Sequence, residues 1–275
     1  MRAKAYAAGT VLNALATGIG CAFGINLILE VKIRPSDENV LIVNGKERGT
    51  EVLEKVLNFF SEKLRVIVKS EIPERSGLGS SSAFLNALLS AIMKKNDKKL
   101  FASEILRVNA DLSLKAGISY TGAFDDASAS LLGGFVISEN YRRALREWFI
   151  CKGYAAVLIP NFQRGKVDWE TIKRESQKLG NVEEKLRRHD FCEVMRKNTV
   201  FYCSLLGYPI DIAERLWKEG ICCGLSGNGP SFVAIGDRSD VIFAKEIWSE
   251  FGKVLIKKIS EKPAEEVLIN RELFI

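Results

Sequence analysis

The chain has 275 residues and a mass of 30.6 kDa, enough for one large domain or two small ones and for a sizeable buried core. Hydrophobic residues make up 47% and charged residues 27%, which excludes a long disordered chain, a collagen and a disulfide-stapled miniprotein. Its 40 basic and 34 acidic residues leave a net charge of +6, which suits an anionic ligand, while the lack of a long basic run or an aromatic-interleaved patch argues against nucleic acid.

Arg2 and Lys4 precede a small-residue apolar stretch, and Cys21 follows Gly18-Ile19-Gly20, the outline of an export signal. Thr10, Asn13 and Thr17 interrupt that stretch, so it reads instead as a working segment with a short strand over 2–8. No run of 18 apolar residues occurs, and no membrane span is expected. A long strand is predicted over 22–34, a turn at Arg34-Pro35-Ser36-Asp37, a strand over 39–43 and an amphipathic helix over 50–63. Residues 64–71 alternate with period two and predict another strand. The glycine–serine run from Ser76 to Ser82 leads into a helix over 83–94, and a second helix is expected over 101–115. Residues 117–128 read as a connection carrying glycine and aspartate, and Gly133-Gly134 opens a strand. The second half begins near Trp148 with a buried strand over 154–159 and helical patterns over 168–179, 182–206 and 209–219. A strand from Cys222 enters the loop Gly227-Asn228-Gly229-Pro230 and resumes over 231–235; a helix over 238–251 and one or two tail strands follow. This mixture without regular βαβ alternation predicts an α+β protein.

Three segments carry chemistry. Gly77-Leu78-Gly79-Ser80-Ser81-Ser82 lies between a strand and a helix. Its glycines allow a sharp turn and close approach, its serines offer caps and hydroxyls, and the helix start favours an anion such as phosphate. It is neither a Walker A loop, since no lysine follows Gly79, nor GxGxxG, since its sixth position is Ser82. In Thr121-Gly122-Ala123-Phe124-Asp125-Asp126-Ala127, one aspartate could cap a helix while the other is the chemical group, in either order. Gly224-Leu225-Ser226-Gly227-Asn228-Gly229-Pro230 is a glycine loop between two strands. The single histidine, His189, excludes multi-histidine metal sites and reads as an exposed residue of a charged helix. The six cysteines (Cys21, Cys151, Cys192, Cys203, Cys222, Cys223) show no CxxC spacing and suit a reducing cytoplasm, with Cys222 and Cys223 as core residues.

The order of the three segments, PxxxGLGSSxA from Pro73 to Ala83, GxxD ahead of Gly133-Gly134, and SGxGPS from Ser226 to Ser231, resembles the GHMP small-molecule kinases. The wording of Ala7 to Ala14, Thr17 to Gly20 and Thr121 to Ser128 is similar to the archaeal type of shikimate kinase within that superfamily. The resemblance covers most of the chain and implies a two-domain fold. A ribosomal-protein-like N-terminal domain, expected over 1–148, would be followed by a ferredoxin-like C-terminal domain over 149–275. It further implies a cytoplasmic enzyme using ATP and Mg²⁺ to convert shikimate to shikimate 3-phosphate in aromatic amino-acid biosynthesis. A substrate hydroxyl would attack the γ-phosphorus directly. Homoserine kinase or another metabolite kinase of the superfamily is the alternative, and a non-catalytic ATP or metabolite sensor a further one. The partner is a small anionic polyol, not nucleic acid or a membrane, and the oligomeric state stays open.

By the same resemblance Pro73, Ser76, Gly77, Leu78, Gly79, Ser80, Ser81, Ser82 and Ala83 form the ATP phosphate loop. Asp126, seven positions before Gly133, is the first candidate for base or hydroxyl-orienting group, with Asp125 second. Ser81 is the candidate hydroxyl ligand for Mg²⁺, and Asp111 or Glu104 the acidic one. Asn13, Thr17, Thr121, Gly227 and Gly229 are the substrate-side candidates, and Arg75, Arg164 and Lys166 the cations for its carboxylate. Many superfamily members pair the aspartate with an N-terminal lysine; here Thr10 stands in that place, with Lys4 nearby in sequence.

Overall fold

The computed structural model describes residues 1–163 and 165–275; the candidate cation Arg164 lies outside the described residues. Among the described residues the strands form two sheets. The first contains β1 (Arg2–Leu12), β2 (Ile19–Pro35), β3 (Val40–Val43), β4 (Lys46–Arg48), β5 (Leu64–Ser70), β6 (Phe135–Glu139) and β7 (Ala144–Phe149). Its order is β4-β3-β5-β2-β6-β7, with β1 antiparallel to β2 and the β3–β5 pair parallel. The second contains β8 (Tyr154–Pro160), β9 (Cys222–Leu225), β10 (Phe232–Gly236) and β11 (Gly252–Lys258), antiparallel in the order β11-β8-β10-β9. The class is α+β, as the irregular succession of elements predicts.

Strand β2 organises the first layer. Its later half alternates, burying Leu27, Leu29, Val31 and Ile33, whereas Ile19 to Ile25 are buried throughout. Small residues permit that double burial, because a Cβ at Gly24 would come within 2.8 Å of the Ala129 carbonyl oxygen. Against β1 and β2 lies α2 (Ser80–Lys95), a helix buried almost all round, and β1 carries the small buried residues Ala3, Ala5, Ala7 and Ala8. Helices α3 (Ala102–Lys115) and α4 (Phe124–Leu132) complete this layer. Buried amides tie the three together: Asn86 Nδ2 donates to the Ala127 carbonyl at 2.8 Å, and Asn109 Nδ2 donates to Asn86 Oδ1 at 2.7 Å. Satisfied on both sides, such groups favour one helix register over its alternatives.

In the second half α7 (Phe191–Leu206) packs on β9 and also reaches β1, while α8 (Asp211–Trp217) and α9 (Arg238–Trp248) cover the second sheet. The tail after β11 crosses back to the first layer. Gly134 N donates to the Ser260 carbonyl at 2.7 Å, Ala264 N to Leu131 O at 2.9 Å, and Leu268 N to Leu100 O at 2.7 Å. Among the described residues no helix is long and apolar enough to cross a membrane.

Several elements differ from expectation. The predicted connection over 117–128 contains the start of α4, whose first residue is Phe124. The helical pattern over 182–206 is two helices, α6 (Val182–Arg187) and α7, separated where His189 takes a left-handed φ of 55°. His189 is exposed, as the sequence suggests, but lies between the two helices, where Nε2 meets Glu147 Oε2 at 2.7 Å and its ring stacks on Phe149 and Phe191. The helix expected over 50–63 is α1 (Glu51–Leu57) continued by a short 3₁₀ turn, and the pattern over 168–179 begins as α5 (Trp169–Arg174). Strands β4 and β7 have no counterpart in the sequence reading.

The expectation of reduced thiols is also corrected: Cys192, in the first turn of α7, and Cys222, opening β9, form a disulfide 30 residues apart in sequence. Neither CxxC spacing nor a local motif marks such a pair, because the fold brings the two elements together. Cys21, Cys151, Cys203 and Cys223 are free, and burial pushes the Cys203 thiol up to about 12. Closing a loop of that length stabilises a fold by roughly 3–4 kcal/mol in the chain-entropy account. Alkylation of the denatured, unreduced protein followed by intact mass measurement is therefore expected to label four cysteines, and six after reduction. Six labels before reduction would show that the bond is absent in solution.

Candidate active site

The phosphate-loop sequence follows β5 and bends at two positions that need positive φ, Gly77 at 83° and Gly79 at 66°. Arg75 also adopts a left-handed φ, 56°, a conformation that costs a non-glycine residue about 1–2 kcal/mol and often marks functional segments. Ser76 Oγ donates to the Pro73 carbonyl at 2.8 Å, closing the turn. The loop is moored on β1 by Ala8 N, which donates to the Leu78 carbonyl at 3.0 Å. Gly79, not a serine, is the N-cap of α2, and no side chain caps that helix start. The serine hydroxyls therefore stay available to a ligand, and the helix offers its first N–H groups and positive dipole end to an anion.

The second element is the first turn of α4. Its N-cap is Ala123, held at φ 48°, and both aspartates lie inside the helix rather than at the cap. Their environments differ sharply. Asp125 is 5% exposed and accepts from Asn140 Nδ2 at 2.8 Å. Burial raises its carboxyl above the usual range, opposed by hydrogen bonds from Asn140 and from the N–H groups of Asp126, Asp125 and Ala14. A Cβ at Gly20 would collide with that carboxylate, so β2 presses directly on it. Asp126 is half-buried and faces the cavity.

The third element is the loop after β9. Gly227 N donates to Thr10 Oγ1 at 2.8 Å, and Ser226 Oγ donates to the Gly77 carbonyl at 2.9 Å. Ser231 N donates to the Ser76 carbonyl at 3.1 Å. Asn13 Nδ2 donates to Asn228 Oδ1 at 2.9 Å, joining the two halves across the cavity. Tyr208 OH donates to the Asn228 carbonyl at 2.9 Å and accepts from Gly165 N at 2.7 Å.

These elements enclose a cavity of about 410 Å³. It gathers Gly77, Gly79, Ser80, Ser81 and Ser82 from the phosphate loop, Asp125 and Asp126 from α4, and Asn13, Thr121 and Gly227 from the substrate-side set. Pro73, Ser76, Leu78 and Ala83 support the loop from behind rather than line the cavity. Thr17 closes its own turn with Ile19, and Gly229 packs on the Tyr208 ring; neither lines the cavity. Asp111 is not part of the cavity wall. It pairs with Arg143 on the outer face of α3, and Glu104, two helical turns earlier, is exposed on that same face. From α3 it is Ser113 that reaches the cavity. Lys4 pairs with Glu30 at 3.8 Å, away from the site. Lys166 is exposed and outside the lining, so Arg75 is the cation that lines the cavity among the described residues. Sequence reasoning left Asn228, Tyr120 and Asn140 without roles. Asn228 stood inside a recognised motif, whereas the other two carry no local signal.

Comparison with known proteins agrees with this architecture. The family described as GHMP kinases N terminal domain matches residues 48–134. The shikimate kinase of Archaeoglobus fulgidus is 54% identical over 274 residues, covering 100% of this chain and 98% of that protein. The shikimate kinase of Pyrococcus furiosus is 34% identical, covering 92% and 97%. Among solved structures, the homoserine kinase of Cytophaga hutchinsonii superposes with a TM-score of 0.68 at 19% identity, over 95% of this chain and 96% of that one. The mevalonate kinase of Methanococcus jannaschii gives a TM-score of 0.68 at 16% identity, over 94% and 97%. The chain belongs to the GHMP kinases, within the family of the archaeal shikimate kinases.

Proposed function

We propose that this protein transfers the γ-phosphoryl group of ATP to a hydroxyl of shikimate. The observation that carries the reading is the juxtaposition of the uncapped start of α2, with its serines, and Asp126 on one cavity wall. The full-length likeness to shikimate kinases supports the choice of substrate.

Phosphoryl transfer of this kind passes through a loose transition state, so the protein contributes position and charge neutralisation rather than covalent chemistry. The N–H groups that open α2 and the hydroxyls of Ser80, Ser81 and Ser82 hold the phosphates. Asp126 aligns the acceptor hydroxyl and takes its proton as the O–P bond forms. Asp125 stays out of the chemistry, with Asn140 and backbone N–H groups already on its carboxylate. Arg75 brings positive charge to a cavity that must hold two anions. Thr10 does not replace the lysine of other superfamily members; its hydroxyl accepts from Gly227 N and joins the two halves.

The residues present fit Mg²⁺ of the kind that phosphates largely hold. Among the described residues no group of three or more acidic, histidine or cysteine side chains gathers, and Ser81 supplies a hard oxygen at the cavity. When bound, Mg²⁺ neutralises charge on the phosphate oxygens. We place the enzyme in the cytoplasm, where ATP and the small anionic polyol meet.

Two measurements test this reading. With Mg·ATP and shikimate, homoserine, mevalonate or pantoate offered separately, ADP release is expected with shikimate alone; turnover with a different alcohol would retain the kinase and reject the substrate. Asp126→Asn is expected to lower kcat about 100-fold or more with little change in melting temperature. Wild-type turnover in that variant would remove Asp126 from the mechanism.

A further inference from the structure

Asn140 follows β6 directly and is 1% exposed, yet it lies one side chain away from the reacting groups. Its N–H donates to the Gly18 carbonyl at 2.8 Å, which fixes its backbone. Its side-chain amide is used at both ends. Nδ2 donates to Asp125 Oδ1 at 2.8 Å and to Thr121 Oγ1 at 3.4 Å. Oδ1 accepts from Asp125 N at 3.2 Å and from Ser138 Oγ at 2.8 Å. An Asn amide has two N–H donors and two acceptor lone pairs, so this one is saturated. Its orientation is determined as well, because the Asp125 N–H can only donate and must face Oδ1.

The location matters because α4 has no side-chain cap. Its N-cap is a left-handed alanine, and the usual means of holding a first turn is missing. The reciprocal pair between Asn140 and Asp125 takes over that task from outside the helix. Thr121, which touches Asn140, also accepts from Ala123 N at 3.4 Å. One buried amide therefore grips both ends of the turn that carries Asp126.

We propose that Asn140 is a positioning residue for phosphoryl transfer, clamping Asp125 and Thr121 so that the first turn of α4 presents Asp126 to the acceptor hydroxyl. The proposal rests on the role assigned above to Asp126. A displacement of about 1 Å in such a site lowers turnover by up to ~100-fold.

Asn140→Asp tests the clamp through pH. The substitution replaces the donating Nδ2 by an oxygen facing Asp125, and two adjacent carboxyls then share one proton. When that proton is bound the donor is restored; when it is lost the two groups repel. The variant's kcat relative to wild type must therefore rise as pH falls. Among the described residues, the ionisable groups around the pair include Asp126 on α4, Cys21 on β2 and Tyr202 on α7. Burial raises the latter two, and Glu147, which pairs with His189, and Tyr141 act on them. Titrations that the substitution leaves unshifted cancel in the ratio.

The expected result is a kcat about 30-fold below wild type at pH 8, with KM for ATP within threefold, and a ratio that recovers about tenfold by pH 5.5. Asn140→Ala is expected to lose similar turnover. If Asn140→Asp does not fold, Ser138→Ala substitutes for it: removing the donor to Asn140 Oδ1 is expected to lower kcat about fivefold with both KM values unchanged. A flat ratio for Asn140→Asp, or kcat within twofold of wild type in Asn140→Ala or Ser138→Ala, overturns the proposal. Asp126→Asn assayed alongside separates the two levels of argument. Turnover retained there overturns the underlying assignment. Turnover lost there, with Asn140 variants that show a flat ratio or wild-type kcat, overturns only the clamp.

Discussion

The cavity depends on one close approach, of the backbone at Gly77 to the backbone between Ser226 and Gly229. A Cβ at Gly77 would collide with the Ser226 carbonyl and lie 2.9 Å from the Gly229 carbonyl, and its φ of 83° independently favours glycine. Gly227 is subject to the same constraint from the other side, where a Cβ would meet the Gly77 carbonyl oxygen at 2.9 Å. Two glycine loops, 150 residues apart in the chain by their own numbers, thus touch main chain to main chain. Ser226, Thr10 and Ser231 then supply the hydrogen bonds that close the seam. Without that contact the first layer would carry an anion-binding helix start with no wall opposite it.

Polar groups around the cavity have two uses. The N–H groups that open α2, uncapped by any side chain, suit a multiply charged ligand. Other polar groups are consumed by each other. Asn13 binds Asn228, Tyr208 binds Asn228 and Gly165, and Asn140 binds Asp125. The second group builds a rigid frame, and the first receives the substrate.

Legibility in the sequence followed the range of the interaction. The glycine–serine run and the apolar pattern behind it are local, and α2 with its loop was readable. The long alternating strand β2 was readable for the same reason. Helix α4 was not, because Gly122 and the left-handed Ala123 look like a connection and its small residues, such as Ala127, Ser128 and Ala129, show little periodicity. The break at His189 depends on a backbone conformation that a charged helical pattern hides. Asp111 drew attention as an acidic residue at plausible spacing, but the rotation of α3 turns it outward and brings Ser113 in. The Asn140–Asp125 pair, Tyr208 and the disulfide between Cys192 and Cys222 join residues that are not neighbours in sequence, and no local pattern marks them. The return of the tail to the first layer was invisible for the same reason.

A crystal structure with shikimate, Mg²⁺ and a non-hydrolysable ATP analogue tests the central claim most directly. The account predicts the terminal phosphate over the start of α2, within hydrogen-bonding reach of the N–H groups from Ser80 onward, and a shikimate hydroxyl beside Asp126. A nucleotide seated elsewhere, for instance in the separate cavity lined by Phe59, Leu89 and Glu104, would contradict it.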